Sequence, residues 1–178
     1  MQPNHRFKRT VPLRGTSLAA LGAAQPGVRR STVTRGASIA SMFVGGMVYV
    51  LWRPDSLTMF SWFSTLGLDR PVGAMRAWAA AAPWAPPDWV CLSAPQALWL
   101  LSGCLAVHSI WGDARCPQER FWMAALTLLA VGAELGQAAQ VVGGAFDPLD
   151  LALLALAFAA AQTIALSDSR RRIEEVCT

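Results

Sequence analysis

Between Val131 and Asp150 the chain reads "VGAELGQAAQVVGGAFDPLD". Glu134, Gln137, Gln140, Asp147 and Asp150 stand there among residues otherwise apolar enough for lipid. Carboxylates and amides at this spacing could bind a polar headgroup, hold an ion, or act as a general base. Glu134 and Gln137 are three apart and share a helix face. A carboxylate at membrane depth costs about 2.5–3.5 kcal/mol on insertion scales, so it faces the bundle interior, where it is paired or carries a proton. Asp147 and Asp150 also have a plainer role open to them. "FDPLD" reads as a helix start, with Asp147 at the N-cap, Pro148 first and Asp150 third, both carboxylates beside the positive helix end. Two readings therefore stand. The polar set is either one outward-facing site, or two caps and an interhelical hydrogen bond.

Gln96 and Trp99, one turn apart in "SAPQALW", are the candidates to face that set from a second segment. His108 lies at the other end of the same segment, where a single histidine is more commonly packed than ligating. Asp88 is expected to cap this segment. No hydrolase-type Ser/His arrangement, Gly-rich phosphate loop or HExxH occurs, so no catalytic residue and no cofactor is assigned. The four cysteines form no CxxC or Cys/His spacing and read as free thiols, and no metal site is assigned. Glu134, Asp147 and Asp150 offer oxygens for a divalent cation, but spacing alone does not make them one.

The elements that position these residues follow from composition. The 178 residues are 54% hydrophobic and 15% charged, against about 25% charged in soluble domains. Lipid is the expected solvent. The fold class is an all-α membrane protein with four transmembrane helices, spanning about 37–53, 90–111, 121–143 and 148–166. A soluble bundle would need polar outer faces, which the fourth segment lacks from Leu151 to Ala161. The first segment is short for a span of roughly 20 residues, and its flanks must supply the difference. With Phe121 at one membrane edge, Glu134 lies about 20 Å up the third helix.

Residues 53–89 are too apolar for a solvated linker. Leu57, Phe60, Phe63 (or Trp62) and Leu66 recur at helical spacing, and Trp78, Trp84 and Trp89 suit a headgroup zone. An extracytoplasmic amphipathic hairpin between the first and second spans is expected, either capping the bundle or forming a lid over a site. Residues 1–35 form a basic arm, largely disordered by composition, and 168–178 a basic tail. Seven of the fifteen Lys/Arg precede residue 36. Nucleic-acid binding is set aside, because topology signals use the same arm. Arg29-Arg30 resembles a twin-arginine export signal, but the following run lacks a cleavage site and reads as an anchored helix. Placing both termini in the cytoplasm puts twelve Lys/Arg inside against three outside, which sets the expected orientation in a bacterial inner membrane.

"ELGQ" followed by "FDPLD" and a small-residue helix resembles the VanZ-like family of small bacterial membrane proteins. Glu134 and Gln137 match its E-x-x-Q, and Phe146, Asp147 and Asp150 match its F-D-x-x-D. Gly144 stands where the family has Arg, Leu154 where it has Asn, and Ala157 where it has Gly. A group of uncharacterised bacterial membrane proteins is similar over about 110 residues, through Arg53, Leu57, Met59, Phe60 and Trp62, then "SAPQALW", Ile110-Trp111, "ELGQ" and "GAFDPLD". The resemblance implies an envelope role, and a non-enzymatic binding protein is the first expectation. The ligand would be a membrane lipid, a lipid-linked envelope precursor or another amphipathic molecule, bound at the outer leaflet by Glu134, Gln137, Asp147, Asp150, Gln96 and Trp99. The alternatives are a membrane enzyme acting on a lipid headgroup, with Glu134 as base, and a structural subunit packing against other membrane proteins through "GAELG" and "ALLALAFAAA".

Overall fold

The computed structural model describes residues 32–111 and 116–177. The expectations for the basic arm before Thr32, and Arg115, lie outside the described residues. Seven helices follow in order: α1 Thr32–Trp52, α2 Thr58–Thr65, α3 Asp69–Ala80, α4 Asp88–Leu92, α5 Ala94–Trp111, α6 Pro117–Ala138 and α7 Pro148–Cys177. No strand occurs among the described residues. Among the described residues three helices are long and apolar enough to cross a membrane: α1, α6 and the Pro148–Asp168 part of α7. They mark a membrane protein.

The centre of the bundle is α5, which packs against α1, α6 and α7. Its Leu100, Cys104, Leu105 and Val107 form the core with Met123 of α6 and Leu154 and Ala161 of α7. Screened by its neighbours, α5 tolerates Gln96, Ser102 and His108, which a lipid-facing helix could not keep unsatisfied.

The α1–α5 contact depends on small residues. The buried positions of α1 are Thr34, Ser38, Ser41 and Gly45, recurring every three or four residues. Small side chains let two membrane helices approach closely. Ser38 Oγ donates to the Ser102 carbonyl at 2.9 Å, and Ser102 Oγ donates to the Ser38 carbonyl at 2.8 Å. At Gly45 a Cβ would lie 3.0 Å from the Trp99 ring. Ile39, Met42 and Phe43 of α1 are exposed, as lipid-facing residues would be.

Several boundaries differ from the sequence expectation, each for a physical reason. α1 starts at Thr32, inside the stretch assigned to the basic arm, because buried Thr34 is held by a hydrogen bond from its Oγ1 to Asp168 at 3.2 Å. The expected 90–111 segment divides into α4 and α5 around Ser93. Pro95 has no N–H with which to continue α4, yet is tolerated in the first turn of α5. Asp88 is the first residue of α4 rather than its cap, and Pro87 holds the cap position without a side-chain bond. α6 starts earlier than expected, at Pro117, which suits a first helical position. It also ends at Ala138, before the Gly143-Gly144 pair expected to stop it. Gln140 takes a left-handed φ of 57°. Its N–H donates to the Gln137 carbonyl at 3.0 Å, and the Val141 N–H to the Gly136 carbonyl at 2.9 Å. This is a Schellman closure with glutamine in the usual glycine place. Gly136 makes room for it, since a Cβ there would sit 2.7 Å from Val142 Cγ2. α7 runs 30 residues, well past Leu166.

The stretch between α1 and α4 forms the two short helices α2 and α3. Arg76 ties them down: its Nη1 donates to the carbonyls of Val50 at 2.7 Å and Arg53 at 2.8 Å, while its guanidinium lies 5.0 Å from the Phe60 ring centre. Arg53 Nη2 in turn donates to the Leu92 carbonyl at 2.6 Å. The bundle thus has a hairpin end, with α2–α4 and the α6–α7 turn. At its opposite, terminal end, α1 and α6 begin and α7 passes Asp168.

Candidate functional site

At the hairpin end three helix termini converge. Gln96 is in the first turn of α5, Asp150 in the first turn of α7, and Glu134 four residues before the end of α6. Glu134 is only 1% exposed. Its side chain is within hydrogen-bonding reach of Gln96 and Asp150, and the charge of Asp147 also acts on it. Glu134 Oε2 and Asp150 Oδ1 are buried and have no hydrogen-bond partner. Ionised carboxylates only accept hydrogen bonds. Two of them in contact need a donor, which is either a proton or the N–H or O–H of another molecule. Leaving such a group unsatisfied costs on the order of 1–3 kcal/mol, more when charged.

The electrostatics are lopsided. The positive ends of α5 and α7 offset part of the negative charge. No side-chain cation is paired with Glu134, Asp147 or Asp150 among the described residues. Of the arginines at this end, Arg53 and Arg76 donate to backbone carbonyls instead.

The six sequence candidates separate by position. Glu134, Gln96 and Asp150 meet as one node. Asp147 is exposed at its rim and caps α7, its Oδ1 accepting the Leu149 N–H at 2.9 Å. Gln137 is turned into the α6–α7 turn. There a Cβ on Gly144 would fall 2.8 Å from its amide carbon and oxygen, and Gly144 has a φ of 141°. Trp99 points away, toward α1, against Gly45 and with its ring centre 5.2 Å from that of Tyr49. Gln140, exposed in the turn, serves as the helix stop described above.

Sequence reasoning did not single out Glu119. It is buried and pairs with His108 at the terminal end, Nδ1 to Oε1 at 2.8 Å. The signal available was weak: an acid in the first turn of α6, where the helix dipole alone accounts for it. The hairpin carries an open hollow of about 670 Å³ between α2 and α3, lined by Phe60, Phe63, Asp55, Asp69 and Arg76 among others. Among the described residues no group of three His, Cys, Asp or Glu side chains is placed to hold a metal ion. Cys91, Cys104 and Cys116 are free thiols. At Cys91, in α4, burial pushes the thiol pKa up, the Asp88 carboxylate raises it further and Arg53 opposes both.

No family model, curated protein or solved structure matches the chain.

Proposed function

We propose that the chain is a multi-pass protein of the bacterial inner membrane that binds an amphipathic ligand at the outer leaflet, through Glu134, Gln96 and Asp150. In this reading α5 is a fourth span beside α1, α6 and α7, and both termini are cytoplasmic. The hairpin end then faces outward, an orientation favoured by the excess of Lys/Arg at the other end. The role is non-enzymatic and belongs to the cell envelope, in line with the VanZ-like resemblance of "ELGQ" and "FDPLD". A lipid-linked envelope precursor is a ligand of the right character.

The observation that carries the reading is the pair of buried acceptors without a donor, Glu134 Oε2 and Asp150 Oδ1. A buried polar atom is normally satisfied, and exceptions concentrate where a ligand, ion or water belongs. A ligand that brings N–H or O–H donors to this depth satisfies both oxygens at once. Its apolar part stays in lipid beside α6, whose Leu128, Leu129 and Leu135 are exposed.

Native mass spectrometry of the full chain in nanodiscs tests this. A defined adduct on the wild type that both Glu134→Gln and Asp150→Asn remove, with folding intact, supports the proposal and names the ligand class. An absent adduct, or one indifferent to both substitutions, overturns it and leaves the node as a proton-sharing structural contact.

A further inference from the structure

The terminal end carries a second arrangement, independent of the hairpin-end node. A groove of about 450 Å³ runs there between α6 and α7, its walls including Met123, Phe158 and Leu166. From Leu166 to Phe158 it follows the helix axis for about 12 Å, at a rise of 1.5 Å per residue. Its polar lining is His108, Glu119, Arg120 and Gln162. The buried Glu119 carboxylate holds the His108 ring through Nδ1, which directs Nε2 away from Glu119. That Nε2 is buried and has no partner. Arg120 is exposed and is in no ion pair among the described residues.

We propose that this groove binds an anionic phospholipid, with the headgroup phosphate held by Arg120 and Gln162 above His108 and an acyl chain along Met123 and Phe158. Three observations converge on that occupant. The groove separates two helices that are each long and apolar enough to span, so in a bilayer it opens on lipid and is filled by lipid. Met123 and Phe158 lie about one helical turn from Arg120 and Gln162, on the side toward the middle of the bundle, with Leu166 beyond them toward the terminal end, so the polar groups sit on the side where a headgroup belongs. The exposed charge there is Arg120, since Glu119 is buried against His108, and a guanidinium binds phosphate oxygens in a fork geometry that an ammonium cannot copy. Gln162 adds an amide N–H, and the His108 ring lies beneath it.

The test is retention of lipid by the full-length protein, purified from equimolar phosphatidylglycerol and phosphatidylcholine and weighed by native mass spectrometry. The wild type should keep phosphatidylglycerol in preference. Arg120→Gln should reduce that preference about fivefold, the worth of one cation beside an anionic headgroup. Gln162→Leu, close in volume, should reduce it by a smaller factor. Neither change touches the core or the His108–Glu119 pair, so both variants should fold. Arg35→Gln, at the same end of the bundle but on α1 outside the groove, should leave the preference unchanged. No preference in the wild type overturns the proposal, as does a preference that survives Arg120→Gln. An equal loss in Arg35→Gln also overturns it, because the attraction would then be diffuse and not a site.

Discussion

The two ends of the bundle hold the same kinds of side chain in opposite states. At the terminal end a buried glutamate, Glu119, meets a histidine at 2.8 Å, and Thr34 meets Asp168 at 3.2 Å. At the hairpin end a buried glutamate, Glu134, meets an aspartate and an amide and keeps an oxygen without a donor. Both glutamates are at least nine-tenths buried. Burial therefore does not tell a structural carboxylate from a site. What separates them is whether the protein itself supplies the donor.

The comparison can be broken most severely by disturbing the scaffold that holds both ends. Gly45→Val puts methyl groups where the Trp99 ring already lies 3.0 Å from a Cβ. A loss of about 3 kcal/mol is expected, at the upper end for overpacking, read as a fall in thermal midpoint in detergent. Ile39→Val, on the exposed face of α1, should be silent in the same assay. Next in size, Glu119→Gln takes the acceptor charge from His108 and should destabilise by about 2 kcal/mol. Glu134→Gln should do the reverse. Its new amide can donate to Asp150, and one of the two carboxylate charges no longer has to be buried, so a gain of about 1 kcal/mol is expected, together with loss of the ligand. Equal losses from the two substitutions would erase the distinction between the ends.

Smaller effects sharpen the picture. Gln140→Gly relieves a left-handed residue that closes α6 and should add about 0.5 kcal/mol without altering the node. At Cys91, Asp88→Asn removes one of the influences that raise the thiol pKa. The thiolate fraction at a fixed pH then rises, so alkylation should speed up and its pH profile should move down. Arg53→Gln should move it up. A profile indifferent to Asp88 would remove that carboxylate from the thiol's surroundings.

Much of the helical plan was legible because a run such as Leu151–Ala161, apolar all round, suits little besides a helix in lipid. Glu134 was legible for the same reason, as a charge with no business in an apolar run. The stop of α6 was not, because two glycines at 143 and 144 advertise a helix end more loudly than a glutamine at 140. Its left-handed turn depends on the space at Gly136, a relation between residues and not a property of either. Trp99 was a plausible partner for the carboxylates by depth along the helix. Depth, however, does not give azimuth, and Gly45 offers its ring a place on α1. His108 looked solitary because its partner follows on a separate helix, eleven residues later.

The serine-lined face of α1 bears on the order of biosynthesis. α1 emerges roughly forty residues before α5, its most extensive partner, and during that interval its hydroxyl groups lack the helix they will bond. Ser41 turns its Oγ back onto the Ala37 carbonyl of its own helix, as serine and threonine can within a helix. A helix able to quench its own polar groups can wait in the bilayer as a lone span. The Ser41 bond stays in place when the later segment arrives and Ser38 pairs with Ser102.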